Sequence, residues 1–529
     1  MPEPANAKGK ADHPLELVIP PNGISGVTGV MGTLNWGGLN KFSQGSRWGI
    51  GDVDSDDEYN WLPMGGAKLM IPGNSAPIDT LPAAIIWQTA LYYASGVYIF
   101  SMCANGTLYQ DSAGGSRITV QTGLTTTGIV DIAVWQSTLV IFSDSAAQKV
   151  YSWNGTAVTT VFSTQPVQYI TIFGGRLWMC NGSTVQWTAG GTCNSLSGDS
   201  GNYVVTDASC SNPIIGAFDF PGGLYVMGAN WIKTFTNFND IGQPAVLTFN
   251  QNTLEGTIGP LNKWSVVCVG SVIYFGNNAG YWSINGSTPT QASGPWLNGF
   301  FSGFDYTRTS LSAAYGIINA TPCVFFQAYY LGDPNVAAGY RVFGFTLTNQ
   351  QWFSYAAGTI KWITGIASSF NANNNPVVWG CDGTNIFTLF TNTSSTITAQ
   401  YNSKLWSLGS ALDFDHILSV AVILIINGMT TCTINQIDET NTVGTTFTQT
   451  QSPNLGQLQN NFGVLGNGIN NSGVQGQFEG TVSQLYWLVQ ADGIGRCRCF
   501  GLNLTVQGQS VNLVGIIVSY HHTSAGIGS

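Results

Sequence analysis

Charge is what this chain lacks most. Charged residues make up 8% of its 529 positions, against about a quarter in ordinary soluble proteins. There are 16 Lys and Arg against 26 Asp and Glu, a formal net charge of −10. A surface that grips phosphate needs a basic stripe, so a nucleic-acid-holding role is disfavoured, although DNA can pass such a surface without adhering. Long apolar runs are missing too: the longest aliphatic stretch, Val420 to Ile426, is too short to cross a bilayer. Met1 to Leu15 has no apolar signal-type core, so no secretory leader is expected. Ten cysteines are scattered, Cys497 and Cys499 being the one close pair, and no spacing fits a zinc knuckle. Free buried thiols in a chain made in a reducing cytoplasm are expected. The histidines, His13, His416, His521 and His522, show no ligand spacing, so no metal and no cofactor are expected.

What the chain has in excess is glycine, at 66 residues, and aromatic rings, with 17 Trp, 20 Tyr and 27 Phe. With 44% hydrophobic residues a large core is available, which excludes general disorder. A metabolic enzyme seldom has this balance. It suits short strands, tight turns and broad surfaces covered by other chains.

The stretch from Phe173 to Thr188 organises the rest. It reads as an apolar strand, Asn181-Gly182 and an aromatic strand, and Asn-Gly supplies the two positive φ angles of a type I′ hairpin. Similar apolar strand centres fall at Val97–Phe100, Leu139–Phe142, Leu177–Cys180, Leu224–Met227, Val272–Phe275, Val324–Phe326 and Val377–Trp379. Their spacing of about 40 to 50 residues, with several strands per unit, marks a β-propeller of six or seven blades. A sandwich with coincidental spacing is the alternative. Second strands repeat as well: Val150-Tyr151-Ser152-Trp153-Asn154-Gly155 matches Tyr281-Trp282-Ser283-Ile284-Asn285-Gly286. A further strand precedes several centres, at Asp131–Trp135, Gln168–Phe173 and Gly216–Phe220. The expected organisation is an extended N-terminal arm over 1–80, the propeller over 81–395 and an antiparallel β-sandwich over 396–529. Within the last, Ile417 to Ile426, Asn427-Gly428 and Thr431 to Ile434 read as a long hairpin, and 451–476 as a polar loop.

Constellations with chemistry are few. Gly198-Asp199-Ser200-Gly201 is the tetrapeptide of a trypsin-like nucleophile, but the one upstream imidazole is His13, so a hairpin loop is expected. Asp52 to Glu58 is the one dense acidic cluster; it departs from a calcium loop at Asp57, where the turn needs Gly. It reads as a solvated loop, or a negative patch facing a partner or a channel. Asp382-Gly383-Thr384-Asn385 is a faint, single Asp-turn of the sialidase kind, and Arg47, Arg117, Arg176, Arg308, Arg341, Arg496 and Arg498 are mostly far apart. No catalytic group can be assembled from these, and the chain reads as no enzyme.

Ile172 to Trp178, then Val185-Gln186-Trp187-Thr188, then a polar loop to Asn202-Tyr203-Val204, then Gly222 to Gly228, resemble the propeller of tail hub or nozzle proteins of short-tailed bacteriophages. That family often has Trp-Ser where Trp187-Thr188 stands here. The likeness covers roughly 80–395, and the following sandwich resembles the C-terminal domain of such proteins. It implies a structural protein of the virion tail, assembled in the bacterial cytoplasm as a hexameric ring below the portal and the head-to-tail adaptor. It also implies contact with tail fibre or needle proteins, and a bore that retains the genome DNA and lets it out without specific binding. The alternative is a glycan-binding or glycan-hydrolysing propeller of a virion or cell surface.

Overall fold

The computed structural model describes residues 15–19 and most of 55–523, leaving aside 452–484 and shorter stretches within 287–310, 330–339, 357–362, 404–413 and 438–442, with a few isolated positions. Its named elements are strands, apart from two 3₁₀ turns of three residues each. Each apolar centre of the sequence is the second strand of a four-stranded antiparallel sheet. Among the described residues seven such sheets follow one another, numbered 1 to 7 in chain order and spanning 85–121, 132–162, 169–204, 214–255, 266–291, 313–355 and 365–388. In sheet 3, for example, Tyr169–Phe173, Arg176–Asn181, Thr184–Trp187 and Gly201–Val204 pair in chain order.

The second strands are apolar on both faces because each sheet is covered on both sides. Phe100 and Met102 of sheet 1 pack with Val140 and Phe142 of sheet 2, whereas Ile141 faces Leu177 and Met179 of sheet 3. Trp178 and Cys180, on the other face, pack with Leu224 and Val226 of sheet 4. Further cores fill the gaps between sheets 4 and 5, 5 and 6, and 6 and 7. The last gap, between sheet 7 and sheet 1, holds Ala367, Trp379, Ile99 and Cys103. A core in every gap, the last one included, makes the array a closed ring: a β-propeller. Ring closure is completed by Asp79–Thr80, which pairs with Asn385–Thr388 as the fourth strand of sheet 7.

Glycine and aromatic residues are abundant for one shared reason. In sheets 3 to 7 a ring lies over a glycine on the facing strand: Trp187 opposite Gly201, Trp231 opposite Gly228, Tyr281 opposite Gly276, Phe353 opposite Gly344 and Phe387 opposite Gly380. At Gly228, Gly344 and Gly380 a Cβ would overlap the facing ring. The missing side chain is the space in which the ring sits, and the ring in turn covers the bare backbone.

Two turn expectations are corrected. The two-residue type I′ turn of the organising stretch is Gly174-Gly175, with φ of 57° and 68°, joining Phe173 to its partner Arg176. At the Asn-Gly site the turn residues are Gly182-Ser183, with positive φ at Gly182 alone, because Asn181 still pairs with Thr184. That is the pattern of a type II′ turn.

Outside the ring lie two larger sheets that share one core. One holds Trp61–Met64, Ala67–Met70, Val511–Thr523, Phe414–Ile426 and Leu485–Cys497, with Leu15–Ile19 added on Val511–Thr523. The other holds Ser55–Tyr59, Ile397–Ser403, Gly501–Gly508, Thr430–Ile437 and Val443–Gln451. Val420, Val422, Leu424 and Ile426 point from the first sheet into the core that Ile397, Ala399, Cys432 and Leu504 enter from the second. Phe414–Ile426 and Thr430–Ile437 are therefore not a hairpin, as the sequence suggested. Asn427-Gly428-Met429 carries the chain from one sheet to the other, so the two strands meet through side chains across the core instead of through backbone hydrogen bonds. The polar stretch of 451–476 lies outside the described residues after Gln451.

The expected arm over 1–80 is divided between both units where it is described. Ser55–Tyr59, Trp61–Met64 and Ala67–Met70 are strands of the two larger sheets, and Asp79–Thr80 belongs to the ring. Trp61–Met64 and Ala67–Met70 pair with each other, but the partners of Ser55–Tyr59 and Asp79–Thr80, and the second partner of Ala67–Met70, lie hundreds of residues away, which local periodicity does not register.

Candidate functional site

Three polar sites stand out: the middle of the ring, the joint between ring and two-sheet unit, and the outer edge of sheets 3 and 4.

The middle of the ring is built by Asn262-Lys263-Trp264-Ser265, on the way from sheet 4 to sheet 5. Asn262 caps the turn by accepting the Ser265 amide at 2.9 Å while Ser265 Oγ reaches back to the Asn262 amide, a capping box. The stiff turn sends side chains across the axis. Trp264 stacks on Trp87 of sheet 1, with centroids 4.8 Å apart and planes at 19°. Lys263 Nζ pairs with Asp131 at the head of sheet 2 and donates to Ile170 O of sheet 3 at 2.8 Å. Asn262 Nδ2 donates to Leu311 O, ahead of sheet 6, at 3.0 Å. Asp131 is fully buried and also accepts the Ile132 and Ile170 amides at 2.8 and 2.7 Å, so its charge is met from three sides.

A cavity of about 260 Å³ remains beside this turn, lined among others by Ile86, Trp87, Met102, Thr126, Tyr169 and Trp264. Burial, with the Asp131 charge as a second cause, pushes the Tyr169 phenol well above its ordinary value. The cavity is smaller than the roughly 300–1,000 Å³ usual for ligand pockets. Its ammonium is already neutralised. Among the described residues, Trp264 and Lys263 occupy the middle of the ring. The sequence carried a signal, Asn-x-x-Ser around Lys-Trp, which the strand pattern overshadowed.

At the joint, the acidic cluster proves buried where it is described, a correction of the solvated or partner-facing reading. Asp56, Asp57 and Glu58 lie in the strand Ser55–Tyr59, while 52–54 fall outside the described residues. Arg341 of sheet 6 meets Asp57 at 2.7 Å, and Lys68 pairs with Glu58, both side chains 0% exposed. Desolvation raises the Glu58 carboxyl above its usual range despite the neighbouring ammonium. The Lys68 ammonium also lies 5.3 Å from the ring centre of Tyr401. Backbone bonds complete the seam: Asn60 N to Ser354 O at 2.9 Å, Ala356 N to Asn60 Oδ1 at 3.0 Å, and Asn60 Nδ2 to Thr398 O at 2.7 Å. Asn60, at φ 63°, thereby touches both units.

At the outer edge, Arg176 is buried and holds Asp199, from the Gly198–Gly201 loop, and Asp240, from the long hairpin of sheet 4, the latter at 2.8 Å. The hydrogen bond from Arg176 lowers the Asp199 carboxyl below its ordinary value. Ser200 therefore sits in a structural loop, as expected. His416, His521 and His522 are in strands of the six-stranded sheet, and His416 and His521 are register partners there. The hairpin Trp231–Ile241 and Val246–Glu255 ends in Ile241 and Val246, which are 59% and 61% exposed. Replacing Arg176 by Met is expected to raise proteolytic cleavage between Ile241 and Val246 about tenfold, by releasing Asp240 and with it the tip of this hairpin. Limited proteolysis with mass spectrometry reads it, and an unchanged rate would show that the aromatic contacts of Phe238 suffice.

The remaining candidates stay apart. Arg117 meets Asp79 and Arg341 meets Asp57, so the described arginines form no cluster. Asp382 accepts the Asn385 amide at 3.2 Å within its own turn. Among the described residues, no group of three or more His, Cys, Asp or Glu could hold a metal, and eight cysteines are free thiols, six of them buried.

Comparison with known proteins gives the following. No family model and no curated protein matches the chain. Solved β-propeller structures do. They include virginiamycin B lyase from Staphylococcus aureus, at 12% identity and TM-score 0.40, over 59% of this chain and 97% of that one. A streptogramin B lyase matches at 13% and 0.36, over 59% and 95%, and U3-55K at 9% and 0.38, over 59% and 97%. The expectation of a chain without enzymatic activity is withdrawn on this finding. Virginiamycin B lyase and streptogramin B lyase are enzymes by name, and the likeness of this chain to them is one of fold alone.

Proposed function

We propose that the chain is a structural protein of a short-tailed bacteriophage, a subunit of the nozzle or hub below the portal and adaptor, six copies of which surround the bore that retains and releases the genome. The observation that carries the reading is where the positive charge goes. Lys68, Arg117, Arg176, Lys233, Lys263 and Arg341 are each paired with a carboxylate of the same chain. A chain of net charge −10 in which six of the described cations are engaged internally offers DNA an acidic wall with little grip.

Two further features support it. Trp264 and Lys263 occupy the middle of the ring, so a passage belongs between copies and not within one. The buried Asp57–Arg341 pair, with Asn60 N bonded to Ser354 O beside it, ties the two-sheet unit to the ring, as a part under ejection pressure requires. The family likeness of the 172–228 stretch supplies the identity of the assembly.

The test is assembly. Purified chain mixed with the portal and adaptor complex of its phage is expected to add the mass of six copies, by native mass spectrometry. A chain that stays monomeric beside that complex would overturn the reading. A chain that instead binds host polysaccharide, with loss on replacing an exposed aromatic residue, would favour a glycan-binding propeller.

A further inference from the structure

Ring closure brings two carboxyl groups together. Asp111, on the third strand of sheet 1, is 0% exposed, and neither of its carboxyl oxygens has a hydrogen-bond donor. It lies within hydrogen-bond reach of Asp79, which is on the strand that completes sheet 7. Asp79 Oδ1 accepts the Thr80 amide at 2.8 Å, and Arg117 Nη1 stands 3.2 Å from Oδ2 and donates to Thr80 O at 2.9 Å. The other titratable groups around Asp111 are Tyr109 on its own strand and Cys103 on the next. Burial pushes the Cys103 thiol up to about 12, and Cys381 of sheet 7, with Asp382 beside it, faces it across the gap.

Two carboxylates in contact, one of them wholly shut off from water, resist being charged together, so one proton belongs to the pair. Asp79 has the cation and the amide, which leaves the proton on Asp111. We propose that protonated Asp111, donating to Asp79, is a proton-operated latch on the closure of the ring: loss of the proton sets two like charges against each other and loosens Asp79–Thr80 from sheet 7. Burial first, and Asp79 second, push the Asp111 carboxyl from 3.8 up to about 7. Arg117 already supplies the positive charge here, and two carboxylates are too few to cage a divalent cation.

The sign follows from proton binding. The closed ring holds the Asp111 proton more tightly than the opened one. The latch is therefore at full strength below the ordinary carboxyl value, weakens as pH rises, and reaches its weakest state once pH has passed about 7. The latch rests on the ring alone and holds whether or not the chain belongs to a tail.

Cys103 reports opening, and Cys432, buried in the core of the two-sheet unit, serves as control. The measurement is alkylation of the full chain, with each cysteine followed by mass spectrometry. The ratio of Cys103 to Cys432 labelling is expected to rise about tenfold between pH 6 and pH 8. In Asp111→Asn, whose amide donates to Asp79 at every pH, it should change less than about twofold. Should that variant fail to fold, Asp111→Leu, which has no proton to lose, is read in its place, with the same flattening expected. A pH-independent ratio in the unaltered chain, or an equal slope in the folded variant, would overturn the latch. A slope abolished by millimolar calcium would also overturn it, by showing that a cation holds the pair.

Discussion

Replacing Lys68 by Met is expected to lower stability by about 3–5 kcal/mol, because it leaves the Glu58 carboxylate buried with no countercharge. Both members of the pair are 0% exposed, so water cannot take over the role of the ammonium. The loss should be smaller at pH 5 than at pH 8. Glu58 already has a raised carboxyl value from desolvation, and without Lys68 it rises further and protonates as pH falls. Adding Glu58→Gln to Lys68→Met removes the unmet charge and should recover a large part of the loss. Thermal unfolding of the three variants at the two pH values decides it. A single variant as stable as the parent at pH 8 would mean that the joint is wetter than described.

Replacing Gly344 by Val is expected to cost about 3 kcal/mol, the upper end for overpacking. The new side chain would occupy the space of the Phe353 ring, which is fully buried in the core between sheets 6 and 7. The ring has little room to move, since Phe325 packs on it edge to face at 6.1 Å. Phe353→Ala alone opens a cavity and also destabilises. The double variant should therefore be more stable than the sum of the two single losses implies. Strict additivity in denaturant unfolding would show that Gly344 and Phe353 are neighbours without being coupled.

These two sites differ in how far the sequence disclosed them. The second strands of the ring were plain, from Val97–Phe100 to Val377–Trp379, because strands covered on both faces read as short apolar runs. The glycine and aromatic excess was plain as a composition but not as a pairing, since Gly344 and Phe353 are linked by cross-strand register. The acidic cluster misled because Asp57 and Glu58 are neutralised by Arg341 and Lys68, and the first of these partners is 284 residues away. Asp79–Thr80 is two residues long and has no periodicity to find. Asn427-Gly428 looked like a hairpin turn because a turn motif does not say whether the strands beside it bond to each other or face each other across a core. The axial turn at 262–265 has three residues in its 3₁₀ element, and its importance comes from its reach to sheets 1, 2 and 3.

Of the functional reading, composition supplied the reluctance to hold DNA, and the structure added that the described cations are mostly engaged within the chain. The proposed place of the chain in a virion tail is the central claim. Electron cryomicroscopy of the virions that package its gene, with an antibody fragment bound to the chain, tests it most directly. Six fragments around the tail below the adaptor are the expected result. Fragments on the capsid, on peripheral fibres, or absent from purified particles would contradict it.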